Sequence, residues 1–261
     1  MKRLIINKII IIIMNYYYSG EFGYFNVIIL PSLEKYNSGK EYPLFTIYTF
    51  PDYCYIIKNL FENKFDCKEI PLIKLRLLHN NLEEADYKQF IPINNLLNTS
   101  CIWQMNHFDK ISKIITTDIN INNKNEDFIC YFPRFRDSGK VITDFEKRNA
   151  KKNECESILD LLSKHNIKVY ILGKEILDFD YDKYNVEKIH DIESSIYYLQ
   201  NCKFLISNDS GYIDFAKNCG CKQIIIIRQI TEYHNKFNPF NCIQYNINDV
   251  IELNKFVNFK N

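Results

Sequence analysis

Three short segments of this sequence carry residue types and spacings suited to holding or activating a phosphorylated ligand. The first is Phe204-Leu205-Ile206-Ser207-Asn208-Asp209-Ser210-Gly211. An apolar run of strand type leads into small polar residues, and a helical pattern, Tyr212–Asn218, follows. The start of such a helix offers backbone N–H groups without intrahelical partners and the positive end of the helix dipole. Ser210 can add a hydroxyl, and Gly211 lets an anion approach the backbone. The segment therefore suits a diphosphate. The same residues also suit plain helix capping by Asp209 or Ser210, and spacing alone leaves both readings open.

The second segment is Tyr131-Phe132-Pro133-Arg134-Phe135-Arg136. A strand ends and two arginines follow at once. Guanidinium forks bind phosphate bidentately, and each charge-assisted bond contributes ~1.5–3 kcal/mol. Lys140, Lys147 and Arg148 extend the same basic stretch, whose alternative reading is a solvated loop. The third segment is Ser19-Gly20-Glu21-Phe22-Gly23, directly after the first apolar run. Gly20 and Gly23 permit a tight turn. A carboxylate at Glu21 could accept a proton from a hydroxyl nucleophile. It could equally be an acid favoured by the dipole at a helix entry. The glycine spacing is not the dinucleotide fingerprint GxGxxG.

Other residue groups fit no chemistry of this kind. Asp178-Phe179-Asp180-Tyr181-Asp182 has the alternating acids of a metal loop. An EF-hand loop needs Gly at its sixth position and Glu at its twelfth, where this chain has Lys183 and Ile189. A solvated acidic loop is expected there. The histidines at 79, 107, 165, 190 and 234 form no ligand-spaced pair. There is no P-loop and no GxSxG elbow. Nine cysteines, at 54, 67, 101, 130, 155, 202, 219, 221 and 242, are odd in number and scattered, which is unlike a disulfide framework. Most lie in apolar runs, as buried reduced thiols of a cytoplasmic protein do.

The elements that must position these segments alternate between strand and helix patterns. Lys8–Tyr17 is a continuous β-branched run, expected as a first buried strand rather than a signal peptide. A helical face over Tyr24–Tyr36, a strand over Tyr42–Phe50 and a helix over Pro51–Asn63 with Pro at its first position follow. Phe65–Leu72, Ile102–Met105 and Ile111–Thr116 are weaker strand candidates. Asn120–Asp127 is the most polar central stretch and the candidate linker. Beyond it, strands are expected at Phe128–Phe132, Lys168–Leu172, Val186–Ile189, Lys203–Ser207, Gln223–Ile227 and Cys242–Tyr245. Helices are expected at Lys151–His165, Ser194–Asn201, Tyr212–Asn218 and Asp249–Val257. Repeated βα units predict parallel sheets covered on both faces. Two such lobes, 1–122 and 127–261, would place a ligand at the carboxyl ends of the strands, in a cleft between them.

Composition narrows the partners. Lys+Arg 33 against Asp+Glu 32 gives a net charge of +1, so no global field draws the chain to nucleic acid or anionic membrane. No segment reaches the ~18 uninterrupted apolar residues of a membrane span. With 261 residues, the chain can build one sizeable core or two small ones.

In chain order, the three segments resemble the heptosyltransferase-type glycosyltransferases of the GT-B fold. In that family a Gly-Asp pair after the first strand supplies a base. A basic strand-end segment opens the second lobe, and an Asp-Thr-Gly-like turn before a helix binds the donor diphosphate. Gly20-Glu21 resembles the first element, with Glu in place of Asp. Arg134 and Arg136 fall at the second. Asn208-Asp209-Ser210-Gly211, followed by Phe215-Ala216 and Gly220, resembles the third.

The resemblance is fullest over residues ~128–230. It implies an α/β fold of two Rossmann-like lobes and transfer of a sugar from a nucleotide-diphosphate donor to a glycan or other hydroxyl acceptor. Arg134, Arg136 and the turn from Asn208 to Gly211 would hold the diphosphate. Gly173 and Lys174 would border the nucleoside, and Glu21 would be the base. Direct attack would invert the anomeric centre, with neither a metal nor a resident cofactor. The rivals are a nucleotide-sugar epimerase of related fold and a non-catalytic module that binds glycan or protein.

Overall fold

The computed structural model describes residues 2–6, 9–17, 25–38, 45–62, 64–70, 91–92, 111–119, 127–134, 148–173, 180–229 and 233–258. The chain divides into two compact units, Met1–Ile115 and Thr116–Asn261. Residues 120–126, the bulk of the expected linker, lie outside the described residues. Both units are mixed α/β with mainly parallel sheets.

The first unit opens with an antiparallel pair, β1 (Lys2–Ile6) and β2 (Ile9–Tyr17). The antiparallel β1 departs from the expectation of one leading strand in a parallel sheet. Lys2-Arg3-Leu4-Ile5-Ile6 is itself apolar enough to pair with Ile9–Ile13 across a two-residue connection. The unit then follows the expected rhythm. A π-helical turn, Phe25–Ile29, runs into α1 (Leu30–Asn37), and Pro31, which has no N–H to donate, sits where the register changes. Next come β3 (Phe45–Thr49), α2 (Pro51–Phe61) and β4 (Asp66–Glu69). Pro51 starts α2 with its fixed φ, and Glu62 ends it in the left-handed conformation. Strands β2, β3 and β4 are parallel neighbours, and β5 (Ile91–Pro92) pairs with the end of β2. Ile111–Thr116 is not a strand. Ile111 and Ile115 are buried without a ladder, while Ser112 and Lys113 between them bond to Glu34 and Glu62.

The second unit is a six-stranded parallel sheet. Its strands are β6 (Phe128–Phe132), β7 (Lys168–Leu172), β8 (Val186–Ile189), β9 (Leu205–Asn208), β10 (Gln223–Ile227) and β11 (Ile243–Ile247). Its helices are α3 (Lys152–Lys164), α4 (Ile192–Asn201), α5 (Gly211–Asn218), a single turn α6 (Tyr233–Lys236) and α7 (Val250–Asn258). The central strands are buried almost throughout, as a sheet covered on both faces requires, whereas β8 and β11 at the edges are partly exposed. Helix α3 buries Cys155, Ile158, Leu159 and Leu162, a spacing that draws one stripe onto the sheet. Asp191 caps α4 by accepting from the Ser194 N–H at 2.6 Å. Asp249 accepts from the Glu252 N–H at the start of α7, while Glu252 reaches back to the Asn248 N–H. Among the described residues, no helix is long and apolar enough to cross a membrane.

Ile206 has no exposed surface and lies in the strand between β6 and β10, within the core formed by Ile129, Tyr131, Ile158 and Ile225. Ile206→Ala removes buried methyl groups where backbone pairing on both sides limits collapse. A loss of ~2–5 kcal/mol is expected in urea unfolding.

Candidate functional site at the strand ends of the second unit

Counted in chain order within the second unit, its strands lie 3-2-1-4-5-6 across the sheet. This is the Rossmann order, in which successive crossovers leave the first strand in opposite directions. The divergence opens a crevice at the carboxyl ends of strands 1 and 4, here β6 and β9. These two strands are parallel neighbours, with Phe132 opposite Ser207. Arg134 follows β6 by two residues, and Asn208 to Gly211 end β9 and begin α5. The topology thus brings Arg134, Asn208, Asp209, Ser210 and Gly211 to one switch point. Gly20, Glu21, Gly23, Arg136 and Lys174 lie outside the described residues.

Gly173 ends β7, the next strand along. Its φ is +119°, and a Cβ there would lie 2.7 Å from Cε2 of Phe132. The ring of Phe132 stacks on Tyr212, with centroids 4.2 Å apart and planes 6° from parallel. Glycine at 173 therefore lets β7 close on an aromatic pair that reaches from β6 to the first turn of α5.

The turn itself is built for an open helix start. Ser210 is the N-cap of α5, in extended conformation, and its side chain makes no capping bond. Its hydroxyl lies 3.4 Å from that of Ser207. Residues 212–219 are buried, whereas Gly211 is partly exposed, so the backbone at the helix start is the accessible part. The Asp209 carboxylate points elsewhere. Arg148 approaches it at 2.9 Å and donates to the Asp209 carbonyl from Nε at 3.1 Å. His234 Nε2 lies 3.2 Å from Oδ1 of the same carboxylate.

Two polar groups behind the turn hold it. In the first, Asn208 donates from Nδ2 to Glu154 at 2.8 Å. Glu154 also pairs with Arg228, whose Nε lies 2.9 Å from Oε2 and whose second terminal nitrogen donates to Oε1 at 3.2 Å. Arg228 sits just past β10 in the left-handed conformation, its N–H bonded to the Ile247 carbonyl. The amide of Asn208 is thereby oriented, and its Oδ1 is buried without a hydrogen bond. In the second group, His234 Nδ1 lies 2.9 Å from Asp214. Lys217, one helical turn further on, donates to the carbonyls of His234 and Phe237 and to Gln244. Burial lowers the Lys217 pKa, and the nearby Asp214 charge opposes that. Three acceptors for three N–H groups fit a buried ammonium.

Sequence reading singled out the turn but not its supports. Glu154, Asp214, Lys217, Arg228 and His234 were missed as site residues, and Arg148 was noted only as part of a basic stretch. Asp214 and Lys217 did leave a signal, because charges three residues apart inside an apolar helix must find buried partners. His234 left none, since Asp209 is 25 residues away. Asp180 and Asp182 are exposed, and the Asp180 carboxylate accepts from the Asp182 N–H at 3.1 Å, as in a self-closed surface turn. Among the described residues, no group of three or more His, Cys, Asp or Glu side chains could hold a metal ion.

Two substitutions test this construction. Gly173→Ala places a methyl against Phe132 and forces a backbone angle that alanine disfavours. A destabilisation of ~2–3 kcal/mol is expected in urea unfolding. Glu154→Gln leaves the partly buried Arg228 without its counter-charge and weakens the bond to Asn208. A loss of ~1–3 kcal/mol is expected in the same measurement.

No protein-family model matches the sequence, and no curated protein matches it either. Solved structures do match. The E. coli heptosyltransferase WaaC with ADP aligns at a TM-score of 0.60 and 10% identity, covering 95% of this chain and 99% of that one. The glycosyl transferase family 9 protein from Veillonella parvula aligns at a TM-score of 0.52 and 11% identity, covering 94% and 88%. E. coli ADP-heptose LPS heptosyltransferase II aligns at 0.50 and 8% identity, covering 90% of each chain. The chain is therefore similar in fold, over nearly its whole length, to heptosyltransferases and a family 9 glycosyltransferase.

Proposed function

We infer that this chain is a GT-B glycosyltransferase that moves a sugar from a nucleotide-diphosphate donor to a hydroxyl acceptor. One observation carries the reading. The open start of α5 and Arg134 meet at the switch point of a Rossmann-ordered sheet, where such sheets bind nucleotides. The similarity in fold to glycosyltransferases, one of them solved with ADP, supports it.

In this reading the diphosphate lies at the N–H groups of Gly211 and its neighbours. Arg134 and Arg136 supply positive charge as the leaving group becomes an anion. Asn208, bonded to Glu154, and Asp209, paired with Arg148, set the turn. Gly173 and Lys174, at the end of β7, border the nucleoside. Glu21, four residues past β2, removes the proton of the acceptor hydroxyl, whose oxygen attacks the anomeric carbon directly. The anomeric centre is inverted. The helix dipole and the arginines balance the developing charge, so the reaction proceeds without a metal.

A thermal-shift panel of UDP, GDP, ADP, CDP and TDP, with and without Mn²⁺, tests the donor assignment. One nucleotide should raise Tm without metal, in line with ~2.7 kcal/mol of stabilisation at 100 times its Kd. No shift from any of them removes the donor reading. Arg134→Ala should weaken the active nucleotide by roughly tenfold or more. Glu21→Gln should keep donor affinity and lower transfer by ~10²–10⁴-fold. Full transfer by that variant would remove Glu21 as the base.

A further inference from the structure

His234 is in contact with two carboxylates at once. Its Nδ1 lies 2.9 Å from Asp214 and its Nε2 lies 3.2 Å from Asp209, and all three side chains are fully buried. An ionised carboxylate only accepts hydrogen bonds. A neutral imidazole carries one N–H and one bare nitrogen. With a neutral ring, one of the two contacts would set a lone pair against a carboxylate oxygen. With both carboxylates ionised, both contacts are attractive only if both ring nitrogens carry protons. Arg148 pairs with the same Oδ1 of Asp209 at 2.9 Å and favours the charged form of that carboxylate. A doubly protonated ring is then a second cation, beside Arg148, on Asp209.

The position of this ring gives it a consequence. Asp209 belongs to the turn at the end of β9, and Asp214 lies on α5 behind that turn. His234 belongs to α6, and its carbonyl accepts from Lys217 on the same helix α5. The imidazole thus ties α6 to both the turn and the helix whose start forms the candidate diphosphate seat. We propose that His234 is a doubly protonated clamp and a positioning residue, holding the Asp209–Gly211 turn in the conformation that binds a nucleoside diphosphate. The binding part of this proposal rests on the donor reading above; the protonation part does not.

The sign of the pH dependence follows. Burial works against the charge on His234. Asp214, Asp209 and the hydrogen bonds to both outweigh it, so the pKa is raised above 6.5. A raised value in the folded state means that the stabilisation is complete below the unfolded value of about 6.5. It is lost as pH rises through the folded value. Of the described residues, Asp209 from the turn and Asp214 from α5 are charged groups that contact the ring. Arg148 acts through Asp209, and Lys217 acts through the His234 carbonyl.

The test uses the full chain. Nitrogen NMR of the imidazoles, with His234→Gln to assign the signal, should find both nitrogens of His234 protonated at pH 6.5 and the ring titrating above that pH. The stability should fall as pH rises through that titration, and His234→Gln should flatten this step, whereas His165→Gln should not. ADP affinity, measured by calorimetry from pH 6 to 9, should weaken by roughly ten- to a hundredfold across the same titration, the equivalent of one charge-assisted bond. A predominantly bare nitrogen on His234 at pH 6.5 would overturn the clamp, and so would ADP affinity that stays constant while the ring titrates. If the thermal-shift panel finds another nucleotide, that one replaces ADP. If no nucleotide binds at any pH, the donor reading and the binding role of the clamp both fail, while the NMR and stability data still decide its protonation.

Discussion

The Asp209 carboxylate has no exposed surface, yet it sits in the turn where the second sheet changes winding direction. An isolated charge in such a place would cost several kcal/mol in lost hydration. It is tolerated because Arg148 meets it at 2.9 Å from the stretch before α3 and His234 meets it from α6. These contacts join chain segments that are distant in sequence. They draw the Asp209 side chain away from the helix start, where Ser210 makes no capping bond. The buried ammonium of Lys217, satisfied by the carbonyls of His234 and Phe237 and by Gln244, fastens the far end of the same helix. A helix of eight residues is too short to be stable alone, so α5 owes its place to packing and to these charges.

The sheet explains why the network lies where it does. Parallel strands covered on both faces leave their polar endings at one edge, and the crossovers decide which endings face each other. In the second unit β6 and β9 are neighbours at the reversal of winding, so Arg134 and the Asn208–Gly211 turn come together. The first unit shows half of the same plan, with β2, β3 and β4 parallel and in order. Glu21 follows β2, the strand that corresponds in order to β6. The antiparallel β1 covers the other edge of β2 and uses the apolar start of the chain.

The cysteines contribute packing rather than reactivity. All eight described ones are buried and free. Burial pushes the Cys155 thiol up to about 11 and the Cys242 thiol up to about 12, so neither is a thiolate near neutral pH. Tyr131, the buried partner of Cys155, is also driven well above the usual phenol value, with burial again the main cause. These groups fill the sheet faces as small or aromatic hydrophobes, and the charged network is confined to the strand ends.

Elements whose signal is local were legible in the order of the residues. Apolar runs of four or five residues marked β6, β7 and β10, and the stripe of Cys155, Ile158, Leu159 and Leu162 marked α3. Pro51 marked the start of α2, and the small polar residues after Ile206 marked the turn that ends β9. Period, capping chemistry and φ restriction act within a few residues, so one chain is enough to read them. Ile111–Thr116 misled because its apolar residues at 111 and 115 are buried without a ladder, and only a neighbouring strand makes one. Strand order followed only from tertiary packing, and with it the placing of Arg134 and Gly211 beyond the ends of neighbouring strands. The tertiary structure also decided that Asp209 faces Arg148 and His234 rather than solvent, and that Glu154 joins Asn208 to Arg228 across 74 residues. Such pairings have no local period, because they follow from which buried charges a folded sheet leaves within reach of one another.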